Sequence, residues 1–234
     1  MKQTILILIM LFGGCSTQQE QNNKRVIDDT LNSGIEQNTK FILTETNNCE
    51  QTRLSYQFDI LIDFKRYTDT KEKLDSCLLK IFIKDKVKKS TIDSFSIVST
   101  FYVSGMFMSC DSMTSFTTNF NTDRKIVDNY FGDLVVVDIN FDGKDDIAVI
   151  NDSGGTGGPF YSYYTQTKDK KFIKDQYLTD SVTYFPDKID KTKKRLTTLV
   201  VANAYSVGEH TYHLDRNSYK WRAIRHKIIG EQKE

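Results

Sequence analysis

Alternation between apolar and polar side chains is the clearest pattern along the chain. In the segment YQFDILIDF every second residue is apolar, and this face consists of Tyr56, Phe58, Ile60, Ile62 and Phe64. The residues between them are polar except for Leu61. Because successive side chains of a β-strand point to opposite faces of the sheet, this alternation predicts a half-buried strand.

Shorter segments of the same character continue almost to the end of the chain. They predict further strands over 77–83, 93–103, 133–139, 145–150, 160–165, 196–204, 210–214 and 218–225. The turns between them are short and charged, and no long segment has the helical period. The sequence therefore predicts a single all-β domain over 41–230, built of antiparallel sheets in a sandwich or a propeller-like arrangement.

The first forty residues differ from this domain in composition. One lysine, an apolar run of eight residues and the tripeptide GGC are followed by a polar stretch rich in Gln, Asn and Lys. The apolar run is too short to span a bilayer, and the order of these features is typical of a lipoprotein signal. We expect residues 1–14 to be a signal peptide, Cys15 to carry lipid that attaches the protein to a membrane, and residues 15–40 to form a tether. The alternative is an ordinary secretory signal with an incidental cysteine.

The charge balance bears on the partners. Removal of residues 1–14 takes away one of the 32 basic residues, Lys2, and none of the 31 acidic ones, so the remainder has no net charge. We therefore expect no nucleic-acid partner.

Three cysteines follow the signal segment: Cys49, Cys77 and Cys110. Outside the cytoplasm two of them could pair, which would leave the third free or paired with another molecule. The sequence does not choose the pair, although Cys49–Cys77 would enclose the shortest loop.

The segment DINFDGKDD carries oxygen-bearing side chains at a regular spacing. If Asp138 is position 1 of a loop, then Asn140, Asp142 and Asp146 occupy positions 3, 5 and 9. Gly143 stands at position 6, where a calcium loop turns sharply, and Lys144 at position 7 would contribute its backbone carbonyl.

An EF-hand is excluded for this loop, because position 12 is Val149 and the flanking segments are predicted strands. The pattern predicts a strand-loop-strand Ca²⁺ site instead, from which the neighbouring Asp145 points away. The alternative is a solvated turn whose acidic side chains accept hydrogen bonds from backbone amides.

A glycine-rich loop follows the next predicted strand. It lacks the order of a phosphate-binding loop, and no helix follows that could receive an anion. Either a binding loop or a passive connector fits the sequence. The candidate partner residues are Ser153, Gly154, Gly155, Thr156, Gly157, Gly158 and Tyr161. Tyrosines at 161, 163 and 164 would line a contact surface or belong to the core.

No catalytic signature marks the chain, and we expect that it is not an enzyme, although a hydrolase with unmarked carboxylates stays an alternative. His210 and His213 are three apart in a predicted strand and so face opposite sides, which separates them as metal ligands. Trp221, the single tryptophan, is expected in the core rather than on a ligand platform.

The acidic loop resembles the calcium loops of FG-GAP and integrin-type propeller repeats. From about 131 to 224 the chain resembles small periplasmic lipoproteins of Gram-negative bacteria, through VVVDINFDGKDDIAVI, GGTGGPFYSYYTQTKDKKF, YLTDSVTYFPDKIDKTKKRL and YHLDRNSYKW. A branch of that family acts as immunity proteins, which inhibit lysozyme-like, peptidoglycan-cleaving effectors delivered by antibacterial type IV secretion.

The resemblance implies a Ca²⁺ shell of Asp138, Asn140, Asp142, the carbonyl of Lys144, and Asp146. It also implies a lipid anchor in the outer membrane, a fold that faces the periplasm, and a peptidoglycan hydrolase as partner. The glycine loop is the candidate inhibitory element, because we expect it to adjoin the ion-ordered turn. A calcium-stabilised envelope lipoprotein that binds glycan or protein without inhibiting anything is the alternative.

Overall fold

Three open β-sheets make up the part of the chain that the computed structural model describes, residues 41–71, 75–100, 110–215 and 217–230. The predicted signal peptide, Cys15 and the tether lie outside these residues. No helix within the described ranges is long and apolar enough to cross a membrane.

The first sheet is an antiparallel meander of four strands. In order these are β1 (Phe41–Gln51), β2 (Phe58–Asp69), β3 (Asp75–Asp85) and β4 (Thr91–Ser99). The alternation predicted for β2 is confirmed, because Phe58, Ile60, Ile62 and Phe64 are all buried. Tyr56 was wrongly included in that strand: it lies before β2 and is 75% exposed.

The second sheet contains β5 (Met113–Ser115), β6 (Leu134–Val137), β7 (Asp146–Asp152), β8 (Phe160–Gln166) and β9 (Phe172–Lys174). The β5–β6 pair is parallel, and the other pairs are antiparallel. Every residue of β6 is buried, which is why its sequence is continuously apolar. On one face Tyr164 stacks on Phe95 of β4 with ring centroids 4.0 Å apart. On the other, the Tyr163 hydroxyl donates to the Tyr184 carbonyl at 2.6 Å.

The third sheet is again a four-stranded antiparallel meander. It contains β10 (Lys188–Asp190), β11 (Arg195–Asn203), β12 (Ser206–Leu214) and β13 (Trp221–Ile229). A single turn of π-helix, Leu178–Val182, precedes it. All residues of β13 after Trp221 are exposed.

The prediction of an all-β fold with antiparallel sheets is confirmed, and the arrangement is sandwich-like. The strand predicted over 133–139 ends at Val137, because the backbone turns into the acidic loop there. The strand predicted over 93–103 ends at Ser99, and residues 101–103 lie outside the described ranges. Strand β1 was not among the predicted strands, and the short strands β5, β9 and β10 were also missed, since three residues are too few to display a period.

The cysteines in the first sheet differ in state. Cys49 is disulfide-bonded, whereas Cys77 is a free, buried thiol, so the shortest loop is not the one that is closed. Burial raises the pKa of Cys77 to about 11, and the thiol is therefore protonated and unreactive at neutral pH.

Candidate functional site

The acidic loop connects β6 to β7 and is folded by its own side chains. The amide of Asp142 donates to Oδ1 of Asp138 and to Oδ1 of Asn140, both at 3.0 Å. The amide of Lys144 donates to Oδ1 of Asp142 at 2.9 Å. Gly143 has a φ of +84°, which is the left-handed turn expected at this position.

Asp146 is the buried member of the loop and ties three segments together. Its Oδ2 accepts hydrogen bonds from the amides of Ile139 and Asn140, and its Oδ1 accepts one from the amide of Gln166 at 2.8 Å. Burial raises the pKa of this carboxyl group to about 8, and the charges of Asp142 and Asp138 act in the same direction. A negative charge is therefore costly here unless a cation lies close by.

Two lysine ammonium groups lie at the loop's other carboxylates. Lys144 Nζ is 2.7 Å from Asp142 Oδ2, and Lys191 Nζ is 3.7 Å from Asp138 Oδ2. Within the described ranges no three acidic, histidine or cysteine side chains are gathered into a metal-binding group. Lys144 was predicted to contribute its backbone carbonyl to a metal ion. In the structure its side chain also forms an ion pair with Asp142.

The donor chemistry of the loop nevertheless fits calcium. Three carboxylates, one amide oxygen and one backbone carbonyl are hard oxygen ligands of the type that Ca²⁺ prefers. The Lys144 ammonium group would have to leave Asp142 before an ion could take its place. Asp145 does point elsewhere: it is buried and accepts a hydrogen bond from Ser55 Oγ at 2.5 Å.

The middle of the loop is held by the third sheet. Phe141 adopts a φ of +62°, which is unusual for a bulky residue. Its carbonyl accepts a hydrogen bond from Lys194 Nζ at 3.2 Å, and its ring contacts Trp221. Trp221 is 9% exposed and so belongs to the core, as expected.

The glycine loop has an exposed tip and a buried base. Ser153 and Gly155 are exposed, whereas Gly157 and Gly158 are buried. Tyr161 is fully buried, so the structure corrects its assignment as a partner-contacting residue. Its hydroxyl donates to the Gly132 carbonyl at 3.0 Å and accepts from the Phe131 amide at 3.1 Å, which fixes the start of β8. The Thr156 side chain lies outside the described part of the structure.

The turn itself is tightly folded. Gly154 has a φ of +59°, and a Cβ there would lie 1.9 Å from the Gly158 carbonyl oxygen. Asn129 Nδ2 donates to the Gly157 carbonyl at 3.0 Å and to the Leu199 carbonyl at 2.7 Å. The base of the loop is therefore joined to the third sheet, and the loop is preorganised.

The acidic and glycine loops lie at opposite ends of β7. This strand has seven residues, which corresponds to a separation of about 20 Å at the usual rise per residue. The expectation that the glycine loop adjoins the ion-ordered turn is therefore wrong, because the length of β7 separates the two loops. An ion at the acidic loop would act on the scaffold rather than directly on the glycine loop.

Sequence reasoning missed a histidine pair in the third sheet. His210 and His226 face each other across β12 and β13, and their rings stack with centroids 4.4 Å apart. His213 instead lies with Nδ1 3.1 Å from the Lys193 carbonyl. Only the register between two strands brings the pair together, so a single-strand pattern carries no signal for it.

Comparison with known proteins gives a likeness of fold. No family model and no curated protein matches the sequence. A solved structure described as a Xanthomonas type IV secretion system related protein matches with a TM-score of 0.51 and 17% sequence identity. The match covers 81% of this chain and 86% of that chain. At this identity the two proteins share a fold.

Proposed function

We propose that the chain is a calcium-binding protein of the bacterial cell envelope that inhibits a lysozyme-like, peptidoglycan-cleaving enzyme. The observation that carries the proposal is the fold shared with a protein described as related to type IV secretion, over most of both chains. The resemblance of residues 131–224 to immunity lipoproteins supports the same setting. An anchor on Cys15 would place the fold in the periplasm, where such enzymes attack the cell wall.

The inhibitory element in this proposal is the exposed tip of the glycine loop, residues 152–155. Its base is fixed by Tyr161 and Asn129, so little conformational entropy would be lost when an enzyme binds. A peptide loop that enters a muramidase cleft would exclude glycan from the catalytic carboxylates. It would not be cleaved, because it contains no glycosidic bond.

Calcium has a structural role in this proposal. The ion would be held by Asp138, Asn140, Asp142, Asp146 and the carbonyl of Lys144. When bound, it would neutralise the clustered carboxylates and tie β6 to β7. Because the acidic loop lies at the far end of β7, the ion would stabilise the scaffold that presents the inhibitory loop.

Inhibition is tested with the full chain, purified in detergent. It is titrated into lysozyme-type muramidases, including those of type IV-secreted effectors, and the release of soluble fragments from dye-labelled peptidoglycan is measured. We expect at least one enzyme to be inhibited with an end point near one inhibitor per enzyme. Retention on peptidoglycan without inhibition of any enzyme would contradict the proposal.

A matched pair of variants locates the inhibitory surface. Ser153→Arg places a large charge on the loop tip, and Ser90→Arg makes the same change on the exposed turn between β3 and β4. We expect Ser153→Arg to weaken inhibition by about tenfold or more, because a central contact is worth about 1.4 kcal/mol or above. Ser90→Arg should leave inhibition unchanged. Equal effects of the two variants would remove the glycine loop from the mechanism.

A further inference from the structure

A cavity of about 220 Å³ lies beside the base of the glycine loop. Strands β11 and β12 form one wall through Thr198, Val200, His210 and Tyr212, and the segment after β9 forms the other through Val182 and Tyr184. It is smaller than the roughly 300–1,000 Å³ typical of pockets for drug-sized ligands. A ligand would therefore be no larger than a single ring.

One wall of this cavity contains a buried hydroxyl group with poor internal bonding. Thr198 is 1% exposed, and its Oγ1 has no hydrogen-bond partner of acceptable geometry. Burial raises the pKa of Tyr212, and a hydrogen-bonding contact from the Thr198 hydroxyl to the Tyr212 hydroxyl opposes that rise. Tyr212 donates its own proton to the Ser181 carbonyl at 3.0 Å, so its oxygen is the only part of this hydroxyl that can accept from Thr198. Because buried polar groups without good partners are costly, a ligand that bonds to Thr198 would be favoured.

The lining is polar but carries no formal charge at neutral pH. Hydroxyl groups of Thr198 and Tyr184 and the imidazole of His210 offer hydrogen bonds, whereas Val182 and Val200 are apolar. Burial lowers the pKa of His210, and the neighbouring His226 acts to a lesser extent in the same direction. The imidazole ring is therefore neutral at neutral pH. A phosphate or carboxylate ligand would find no lysine or arginine among these lining residues.

We propose that this cavity binds one uncharged sugar ring. A pyranose ring presents hydroxyl groups at its edge and C–H groups on its faces, which matches hydrogen-bonding groups set among aromatic and aliphatic walls. Its hydroxyl groups would offer Thr198 a partner of better geometry than Tyr212. The sugar class comprises neutral hexoses and N-acetylhexosamines.

The cavity and the glycine loop are structural neighbours. A Cβ on Gly157 would lie 2.5 Å from the Tyr184 hydroxyl, and the Tyr184 ring packs edge-on against Phe160 with centroids 5.1 Å apart. A bound sugar would thus sit beside the base of the loop. The proposal does not depend on enzyme inhibition, because the cavity and the loop tip are addressed by different substitutions.

Binding is tested on the full chain by saturation-transfer NMR with N-acetylglucosamine and glucose, and with glucuronate as the charged control. We expect millimolar binding of at least one neutral sugar and none of glucuronate. If neither neutral sugar shows saturation transfer, the proposal is wrong. Binding of glucuronate as tight as that of the neutral sugars also overturns it.

Thr198→Val tests the role of the buried hydroxyl without disturbing the shape of the cavity. We expect sugar affinity to fall about 3–10-fold, the usual effect of one neutral hydrogen bond, and the melting temperature to stay the same or rise. Thr197→Val, on the opposite face of the same strand, should not change affinity. A fall in melting temperature for Thr198→Val, or equal affinities of the two variants, overturns the assignment.

The same variants separate the two proposals. Thr198→Val should still inhibit muramidases in the peptidoglycan assay, and Ser153→Arg should still bind sugar. If Ser153→Arg loses sugar binding, the sugar does not bind in the cavity at Thr198, and this proposal is wrong. If the native chain binds sugar but inhibits no muramidase, only the proposed function is wrong.

Discussion

The indole ring of Trp221 lies against the phenyl ring of Phe141, with centroids 5.9 Å apart and planes inclined by 52°. Phe141 stands in the middle of the acidic loop, and Trp221 begins β13 in another sheet. Since Trp221 is the single tryptophan of the chain, tryptophan fluorescence reports on one environment, and the acidic loop forms part of it.

Calcium should change the emission of Trp221. If an ion draws Asp138, Asp142 and Asp146 together, Phe141 moves with the backbone that carries it, and the environment of the indole ring changes. We expect a saturable change in fluorescence on addition of Ca²⁺ that a chelator reverses. Asp142→Ala, which removes an oxygen ligand, should abolish the change, whereas Asp152→Ala, outside the loop, should retain it. A calcium response of equal size in both variants would contradict binding at this loop.

Calcium should also raise thermal stability. A ligand that binds only the folded state at a concentration a hundred times its Kd stabilises that state by about 2.7 kcal/mol. For a domain of this size, this corresponds to an increase in melting temperature of about 5–10 °C. Calorimetry with calcium and with chelator measures the difference. Equal melting temperatures at millimolar calcium would count against a structural ion.

Lys144 should compete with calcium for Asp142. Its ammonium group lies 2.7 Å from Asp142 Oδ2, so an ion must displace it. Lys144→Ala keeps the backbone carbonyl and removes the competitor. We expect a severalfold increase in calcium affinity by isothermal titration, with the largest gain at low ionic strength, where exposed ion pairs are strongest. If Lys144 instead substitutes for a metal, the variant will lose stability and will not bind calcium.

The local parts of this fold were predictable from the sequence, because a side-chain period of two is a local property. The buried face from Phe58 to Phe64 follows from the alternation alone. Tyr56 fits the alternation but is not buried, because it lies in the turn before β2. The parallel β5–β6 pair was not predictable, since it depends on contacts between segments far apart in the sequence.

The candidate sites divide in the same way. The spacing of oxygen donors from Asp138 to Asp146 is visible in the sequence, but the approach of Lys191 to Asp138 is not. The two loops are close in sequence, yet an intervening strand carries them to opposite ends of the sheet. The cavity at Thr198 arises from the packing of a π-helical turn on the β11–β12 hairpin, and no local pattern indicates it.

Asp59 should make stability depend on acid pH. Burial alone would raise the pKa of this carboxyl group, but the ammonium groups of Lys89 and Lys86, at 2.6 and 3.0 Å, hold it below its ordinary value. A lowered pKa in the folded state adds stability above the unfolded pKa of about 3.9, and this stability is lost as pH falls through the folded value.

We therefore expect Asp59→Asn to cost on the order of 2 kcal/mol at neutral pH, with a difference from the native chain that shrinks below about pH 4. Urea titrations at a series of pH values measure this. Asp169→Asn, on an exposed turn, is the control and should cost little at any pH. A difference that stays constant down to about pH 2 would show that the lysines do not hold the charge of Asp59.

Gly154 should control both the shape of the glycine loop and any inhibition. A Cβ at this position would lie 1.9 Å from the Gly158 carbonyl oxygen, so Gly154→Ala must displace backbone as well as adopt an unfavourable φ. We expect a loss of about 2–4 kcal/mol in the free energy of unfolding, and weaker inhibition even at temperatures where the variant is fully folded.

Gly155→Ala distinguishes steric overlap of the added Cβ atom from strain in the backbone. Its φ is also positive, but a Cβ there meets no atom within 4 Å, so only the cost of the left-handed conformation, about 1–2 kcal/mol, applies. Urea melts and peptidoglycan-release assays on both variants distinguish the two effects. Gly154→Ala should be the worse inhibitor at equal folded concentration, because it alone displaces the carbonyl of Gly158. If Gly155→Ala is instead the worse inhibitor, the exposed tip at Gly155 contacts the enzyme directly. The rigidity of the loop base would then not limit binding to the enzyme.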